Sequence, residues 1–411
     1  MTQRRAPRAP FGRARWPTAL ALLTPLILSG CGNNGVRNDA HTLRAMDYYV
    51  DEPHKTIYNE TLKECGRRSG VDVELEHVPG PSLIPKTLQQ AASKTLPDLL
   101  MLDNPDLKQI AATGALHPLG DFDLNTRGYT KGAVDASTYR GKRYMLQPAA
   151  NTLALFYNRD VLADAGVRPP TTWSELRVAA KKLTKGDRYG IAFSAPASYE
   201  GTWQFLPFMW TNGGDERTLA SRRNAEALQL WVDLVDDGSA SRSVTNWPQT
   251  DVADQFKAGK AAMMVNGPWQ IPALKEAKGL HYAVTEIPTP RAGRTPVVPL
   301  GGEGWSLPRS GNPEREAKAA EVLACVNSDA MQLSLSVRRQ MVPTKTALMG
   351  RFAKAHPNMR EFTQLVRGTR ARTGELGQAW PATATRIANA IQTALTHGAS
   401  PRQALREAEH D

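Results

Sequence analysis

Pro97-Asp98-Leu99-Leu100-Met101-Leu102-Asp103-Asn104 decides how this chain folds. Four successive apolar residues leave no polar face, as a strand covered on both sides in a parallel sheet requires, and the run stops abruptly at two polar residues. Upstream, Thr42 to Met46 reads as a strand and Thr56 to Cys65 as a helix with Tyr58, Leu62 and Cys65 on one face. Val71, Val73, Leu75 and His77 then alternate with Asp72, Glu74 and Glu76, which completes a β-α-β unit. Downstream, Leu153 to Tyr157 reads as a further strand. Thr172-Trp173-Ser174-Glu175 has capping-box spacing, and Trp173, Leu176, Ala180 and Leu183 form the expected buried stripe of the helix it opens. The alternation persists through Ala261 to Val265 and Tyr282 to Ile287, and from about Glu314 the chain reads mostly helical. No repeat, low-complexity block or long linker interrupts it.

The amino terminus has the pattern of an exported lipoprotein. Arg4, Arg5, Arg8, Arg13 and Arg15 precede a mostly apolar run, Ala19 to Leu28, which ends in Leu28-Ser29-Gly30-Cys31. Ten helical residues span only about 15 Å, about half a bilayer core, so the run fits a cleaved signal peptide better than a membrane span. Residues 1–30 are therefore expected to be removed, Cys31 to take a lipid, and 31–41 to be a flexible tether at the outer face of a cell membrane. The five leader arginines also inflate the formal charge of +11. Without them 46 Lys+Arg stand against 40 Asp+Glu, or +6. The densest basic stretch, Arg360, Arg367, Arg370 and Arg372, lacks interleaved aromatics and reads as a solvated helical face, so no nucleic-acid partner is expected. About 380 residues remain, more than one ordinary core, and two lobes are expected. Cys65 and Cys325 are the cysteines left after Cys31. In an oxidising compartment they suit a disulfide, while two buried thiols is the other reading, and the residues leave both open.

Ligands of open parallel sheets sit beyond the carboxyl ends of the strands. Asp103-Asn104, Asn151-Thr152, Asn266-Gly267-Pro268-Trp269 and Gly301-Gly302-Glu303-Gly304-Trp305 all flank strand-like runs. Trp203, Trp210, Trp247, Trp269, Trp305 and Trp380 mostly stand in Gly-, Pro- or Asn-flanked settings, unlike Trp173 and Trp231 on periodic apolar faces. A flat indole covers the C–H face of a pyranose while neighbouring amides and carboxylates bond its hydroxyls. Each such stack contributes about 2–3 kcal/mol. Enzyme motifs are mostly missing: there is no P-loop, G-x-S-x-G or H-E-x-x-H, and Gly302-x-Gly304 lacks the third glycine of a dinucleotide fingerprint. The eight histidines show no ligand spacing, so no metal and no cofactor is expected.

Three ordered segments together resemble the bacterial extracellular solute-binding proteins of the sugar-transport family that includes maltose-binding protein. They are Pro97–Leu100 through Gly114-Ala115-Leu116-His117-Pro118-Leu119, then Tyr157–Leu162 through Gly166 to Trp173, and Phe256–Met263 through Asn266-Gly267-Pro268-Trp269. The resemblance implies an α/β, two-lobed periplasmic-binding-protein-like fold of type II, with mixed, mainly parallel sheets and a hinge of crossing strands. Lobe 1 would comprise 42–149 and 303–342, and lobe 2 150–302 and 343–411. Crossings would fall near Ala149 to Asn151, Leu300 to Gly304 and Val342 to Thr344. Cys65 and Cys325 would then share the first lobe, which favours a bond between them.

By position, Asp103 matches a pocket carboxylate of the maltose-binding member, Asn151 stands where it has a glutamate, Trp203 where it has a stacking tyrosine, and Trp269 matches a stacking tryptophan. Loop context adds Tyr48, Tyr49, Asn104, Trp247, Glu303 and Trp380 as ligand-binding candidates. The implied function is a monomeric receptor that closes on a carbohydrate and docks on an ABC transporter permease. An extracellular glycoside hydrolase using Asp103, Glu200 or Glu303, and a solute sensor, are the alternatives.

Overall fold

A computed structural model describes residues 41–374 and 376–410, so the expected signal peptide, Cys31 and nearly all of the expected tether lie outside the described residues. Strands β1 (Thr42–Asp47), β2 (Asp72–His77) and β3 (Leu99–Asp103) pair in parallel, with β1 between the other two. The run at 99–102 has no polar side because neither side meets water. Leu99 and Met101 join the core under the helix His54–Arg68, whereas Leu100 and Leu102 join a second cluster with Leu83, Leu107, Ile110 and Leu116. After a small hairpin of β4 (Thr138–Tyr139) and β5 (Lys142–Arg143), the chain leaves this first lobe through β6 (Ala149–Ala150).

The second lobe is built on β7 (Ala154–Asn158), β8 (Met263–Asn266) and β9 (Tyr282–Thr285), in the order β8-β7-β9. Here the expected predominance of parallel pairing gives way: β7 runs antiparallel to both neighbours, and parallel pairing is confined to isolated bridges such as Tyr189–Ala261 and Ala192–Met264 beside β8. A long helical excursion separates β7 from β8, so the chain can return in either direction, and apolarity alone does not report the direction. The capping box forms, with Thr172 accepting from Glu175 N. Leu176, Ala180 and Leu183 are buried, while Trp173 stays half-buried and donates its Nε1 to Pro288 O at 3.0 Å.

The chain returns as β10 (Glu303–Ser306), antiparallel to β3, which sets Glu303 directly opposite Asp103. Helices Pro313–Val326 and Asp329–Arg339 pack on His54–Arg68, then β11 (Val342–Pro343) crosses again, antiparallel to β6. Helices Trp380–Leu395 and Pro401–His410 pack on Tyr199–Thr211 and Arg222–Asp236 in the second lobe.

The three crossings lie side by side, since Asn151 and Gly301 also exchange both backbone bonds, at 3.2 and 2.9 Å. Buried polar side chains brace them: Gln147 Nε2 donates to Gly301 O at 2.8 Å and Thr152 Oγ1 to Pro299 O at 2.7 Å. Gly302 has φ +100°, and a Cβ there would meet Ala149 O at 2.8 Å and Gln147 Nε2 at 2.7 Å. No other residue fits that turn without displacing the strip.

A disulfide joins Cys65 to Cys325 across 260 residues of chain, tying His54–Arg68 to Pro313–Val326. Its loop contains all three strands of the second-lobe sheet, so its loss releases a large unfolded-state entropy. Replacing both cysteines by serine is expected to lower unfolding free energy by about 2–4 kcal/mol in urea titrations. Equal midpoints and slopes for the two proteins would refute this.

Candidate functional site

A cavity of about 620 Å³ opens where the carboxyl ends of β1 and β3 face the second lobe across the crossings. The first lobe contributes Tyr48 and Tyr49 just after β1, Asp103 at the end of β3, and Glu303 opposite it. The second lobe contributes Tyr199, Glu200 and Trp203 from the first turns of the helix Tyr199–Thr211, Gln249 from the start of Gln249–Lys257, and Trp269 after β8. Asn151, Gly301 and Gly302 form its floor at the crossings.

Arg339 organises the first-lobe wall. It ends the helix Asp329–Arg339, where a cation also suits the helix dipole. Its guanidinium donates to Glu303 Oε2 at 2.8 Å and to the hydroxyls of Tyr49 and Tyr58. It also lies 4.4 and 4.8 Å from the centroids of those two rings, within cation–π range. Tyr48 completes the set by donating to Glu303 Oε1 at 2.7 Å.

Burial would raise the Glu303 pKa, but Arg339 and the Tyr49 and Tyr48 hydroxyls outweigh it and hold the carboxyl at about 2. Burial, helped by the nearby Arg339, lowers His54 to about 4, so that ring is neutral. Behind them, His77 Nδ1 and Asp47 Oδ1 are 2.7 Å apart. The same Asp47 oxygen accepts from Tyr49 N at 3.2 Å, which fixes the tyrosine turn.

Asp103 is held differently. Burial raises its pKa, Arg372 pulls it back down, and Glu303 adds to the rise, leaving a net upward shift. Arg372 donates to Asp103 Oδ1 and, through Nε, to Leu300 O at 3.2 Å, while its guanidinium covers the Trp203 ring at 4.7 Å. Glu200 Oε1 accepts from both Gln249 N and Gln249 Nε2, at 2.7 and 2.8 Å. Trp269 packs against Gly267, where an added Cβ would come within 1.9–2.4 Å of the indole carbons, so only a glycine lets that ring settle there.

The family profile described as bacterial extracellular solute-binding protein matches residues 60–360. The chain belongs to this family. A maltooligosaccharide ABC transporter solute-binding lipoprotein of Streptococcus pneumoniae is 26% identical over 313 residues, covering 71% of each chain. Among solved structures, the cyclic alpha-maltosyl-1,6-maltose binding protein of Arthrobacter globiformis superposes with a TM-score of 0.77 at 24% identity, over 90% of this chain and 97% of the other. The GacH receptor of Streptomyces glaucescens gives 0.76 at 25% identity, over 90% and 96%. The two-lobed α/β architecture expected from the sequence is therefore shown.

Of the candidates in this solute-binding protein, Tyr48, Tyr49, Asp103, Asn151, Trp203, Trp269 and Glu303 line the cavity. Asn104, Trp247 and Trp380 do not. Asn104 is fully buried and spends its amide on Leu300 O and Gly302 O, at 3.2 and 3.0 Å, bracing the second crossing. Trp380 opens a helix and is 2% exposed, and Trp247 packs against the core. Trp203 and Trp210 stand inside a helix and Trp305 on β10, not in loops, because each packs on the core.

The arginine stretch also reads differently in three dimensions. The helix Arg360–Arg367 ends before Arg370 and Arg372, which turn inward to Glu216 and Asp103, while Arg360 and Arg367 remain exposed. No sequence pattern marked Arg339 or Arg372 as wall residues. Each is a helix-end or loop cation whose partner lies more than thirty residues away.

Glu303 adds stability above the ordinary carboxylate value of 4.5, and that contribution disappears as pH falls toward 2, because its folded pKa is depressed. Glu303→Gln also leaves Arg339 buried without its carboxylate. It is expected to cost about 3 kcal/mol in urea unfolding at pH 7, with the gap to the parent narrowing between pH 4.5 and 2. A pH-independent gap would contradict the assignment.

Proposed function

We propose that this solute-binding protein is the extracytoplasmic receptor of an ABC transporter and closes on a carbohydrate, most simply an oligosaccharide, for delivery to a permease. One observation carries the reading: indole and phenol rings and hydrogen-bonding groups from both lobes line a single cavity of about 620 Å³ at the crossings. That size suits a small organic ligand. Trp269 and the tyrosines offer flat apolar faces, and Asp103, Asn151, Glu200 and Gln249 offer acceptors and donors for hydroxyls. The maltooligosaccharide-binding lipoprotein from Streptococcus pneumoniae supports the same class of ligand and an anchor at Cys31.

Closure follows from the layout. A ligand touching both walls binds the closed state more tightly than the open one and shifts the population by that difference. The anchor then keeps a monomeric receptor beside its permease, which raises its effective concentration there. No cofactor enters this scheme.

A glycosidase needs a carboxylic acid that carries a proton near neutral pH. Glu303, held ionised at about 2, does not meet that need, whereas Asp103, raised by burial, is the candidate carboxyl that leans toward it. Labelled oligosaccharide recovered unchanged after long incubation supports a receptor, and cleavage products would overturn it.

In a thermal-shift screen against mono- and oligosaccharides, the best ligand is expected to raise the melting temperature of the parent protein. Trp269→Ala is expected to weaken that ligand by about 2 kcal/mol, about thirtyfold in Kd by calorimetry, whereas Trp247→Ala leaves affinity within about twofold. Equal binding by Trp269→Ala would remove the indole from the site.

A further inference from the structure

Away from the cleft, the second lobe carries a recess of about 360 Å³ lined by Arg222, Arg223, Arg291 and Arg294, with Asn212 and Glu226. Four guanidiniums against one carboxylate leave its wall at a formal +3. Glu226 is already committed: it accepts from Arg222 Nε at 2.7 Å and from Asn212 Nδ2 at 3.1 Å. Arg223 donates to the neutral carbonyl of Asn212 at 2.8 Å, and Arg294 to that of Thr211 at 3.4 Å. Arg291 has no side-chain hydrogen bond or ion pair among the described residues.

Arg222 and Arg223 also open the helix Arg222–Asp236, whose first turn carries no acidic residue, so they add to the positive end of its dipole. Folding does not call for this arrangement. Like charges converge where the helix itself favours an anion, and among the described residues Arg222, Arg223 and Arg294 each commit a single nitrogen while Arg291 commits none. Planar guanidinium forks match tetrahedral oxyanions, which accept two parallel bonds from each.

We propose that this recess binds a phosphate-type oxyanion, independently of whatever fills the cleft. A groove of about 550 Å³ shares Asn212, Glu226 and Arg291 with the recess and presents Trp173 and Val178, the latter 67% exposed. A phosphate bearing an apolar group would cover both. The same chemistry therefore has two sources, free phosphate and a phospholipid headgroup.

Isothermal titration of the purified full chain at low ionic strength tests this, with inorganic phosphate and with monomeric dihexanoyl-phosphatidylglycerol as separate probes. At least one is expected to bind, more weakly as sodium chloride is added, and about tenfold more weakly to Arg291→Gln/Arg294→Gln. The single Arg291→Gln variant, whose side chain has no partner to lose, gives the same direction if the double variant folds poorly. Equal affinity for the two probes assigns the site to free phosphate, and a clear preference for the lipid assigns it to a headgroup. Absence of binding by both up to about 10 mM, or binding unchanged in the variants, overturns the proposal.

Discussion

Three passes of the chain between two sheets must share one narrow strip of backbone hydrogen bonds, and the rest of the molecule is arranged around that crowding. β6, β11 and the Gly301 segment lie edge to edge, and their carbonyls accept from Gln147, Asn104 and Thr152, so the strip has little slack. Gly302 is needed because its turn has a positive φ and no room for a side chain. The ligand cavity sits on this strip. Both lobes therefore meet at the place where the fold is most closely specified, and buried residues of both join one continuous hydrophobic cluster.

Charge is managed on the cavity walls by commitment to partners. Arg339 serves Glu303 and two tyrosines, and Arg372 serves Asp103, Leu300 O and the Trp203 face. A buried ion pair is poor evidence of net stability, since desolvation opposes it, but it does fix where each group points. Here that orientation holds phenol and indole rings in place and keeps Glu303 ionised as an acceptor. Such a wall suits recognition of hydroxyls.

Much of the fold was legible in local pattern. The run Leu99–Leu102 announced a doubly covered strand because alternate side chains enter separate cores, and Thr172 and Glu175 announced a helix start because the box is completed within four residues. Strand direction in the second lobe was not legible, since antiparallel and parallel strands can carry the same apolar run. For the site, strand-end position and family resemblance together marked Asp103, Asn151, Trp203 and Trp269. The same loop-context argument misplaced Trp247 and Trp380, because a flanking proline or glycine says nothing about which way an indole packs.

By itself the sequence determined what depends on neighbours along the chain: the export pattern ending at Cys31, the β-α-β opening, the helix caps and the residues that finish the strands. The tertiary structure alone decided which of those residues share a cavity, and it brought in Arg339 and Arg372. It also turned an arginine stretch inward and gathered Arg222, Arg223, Arg291 and Arg294 around one recess. The reason is the range of the forces. Caps and periodicity act over a turn or a pleat, whereas a buried charge takes its partner from whatever the folded chain brings within a few ångströms.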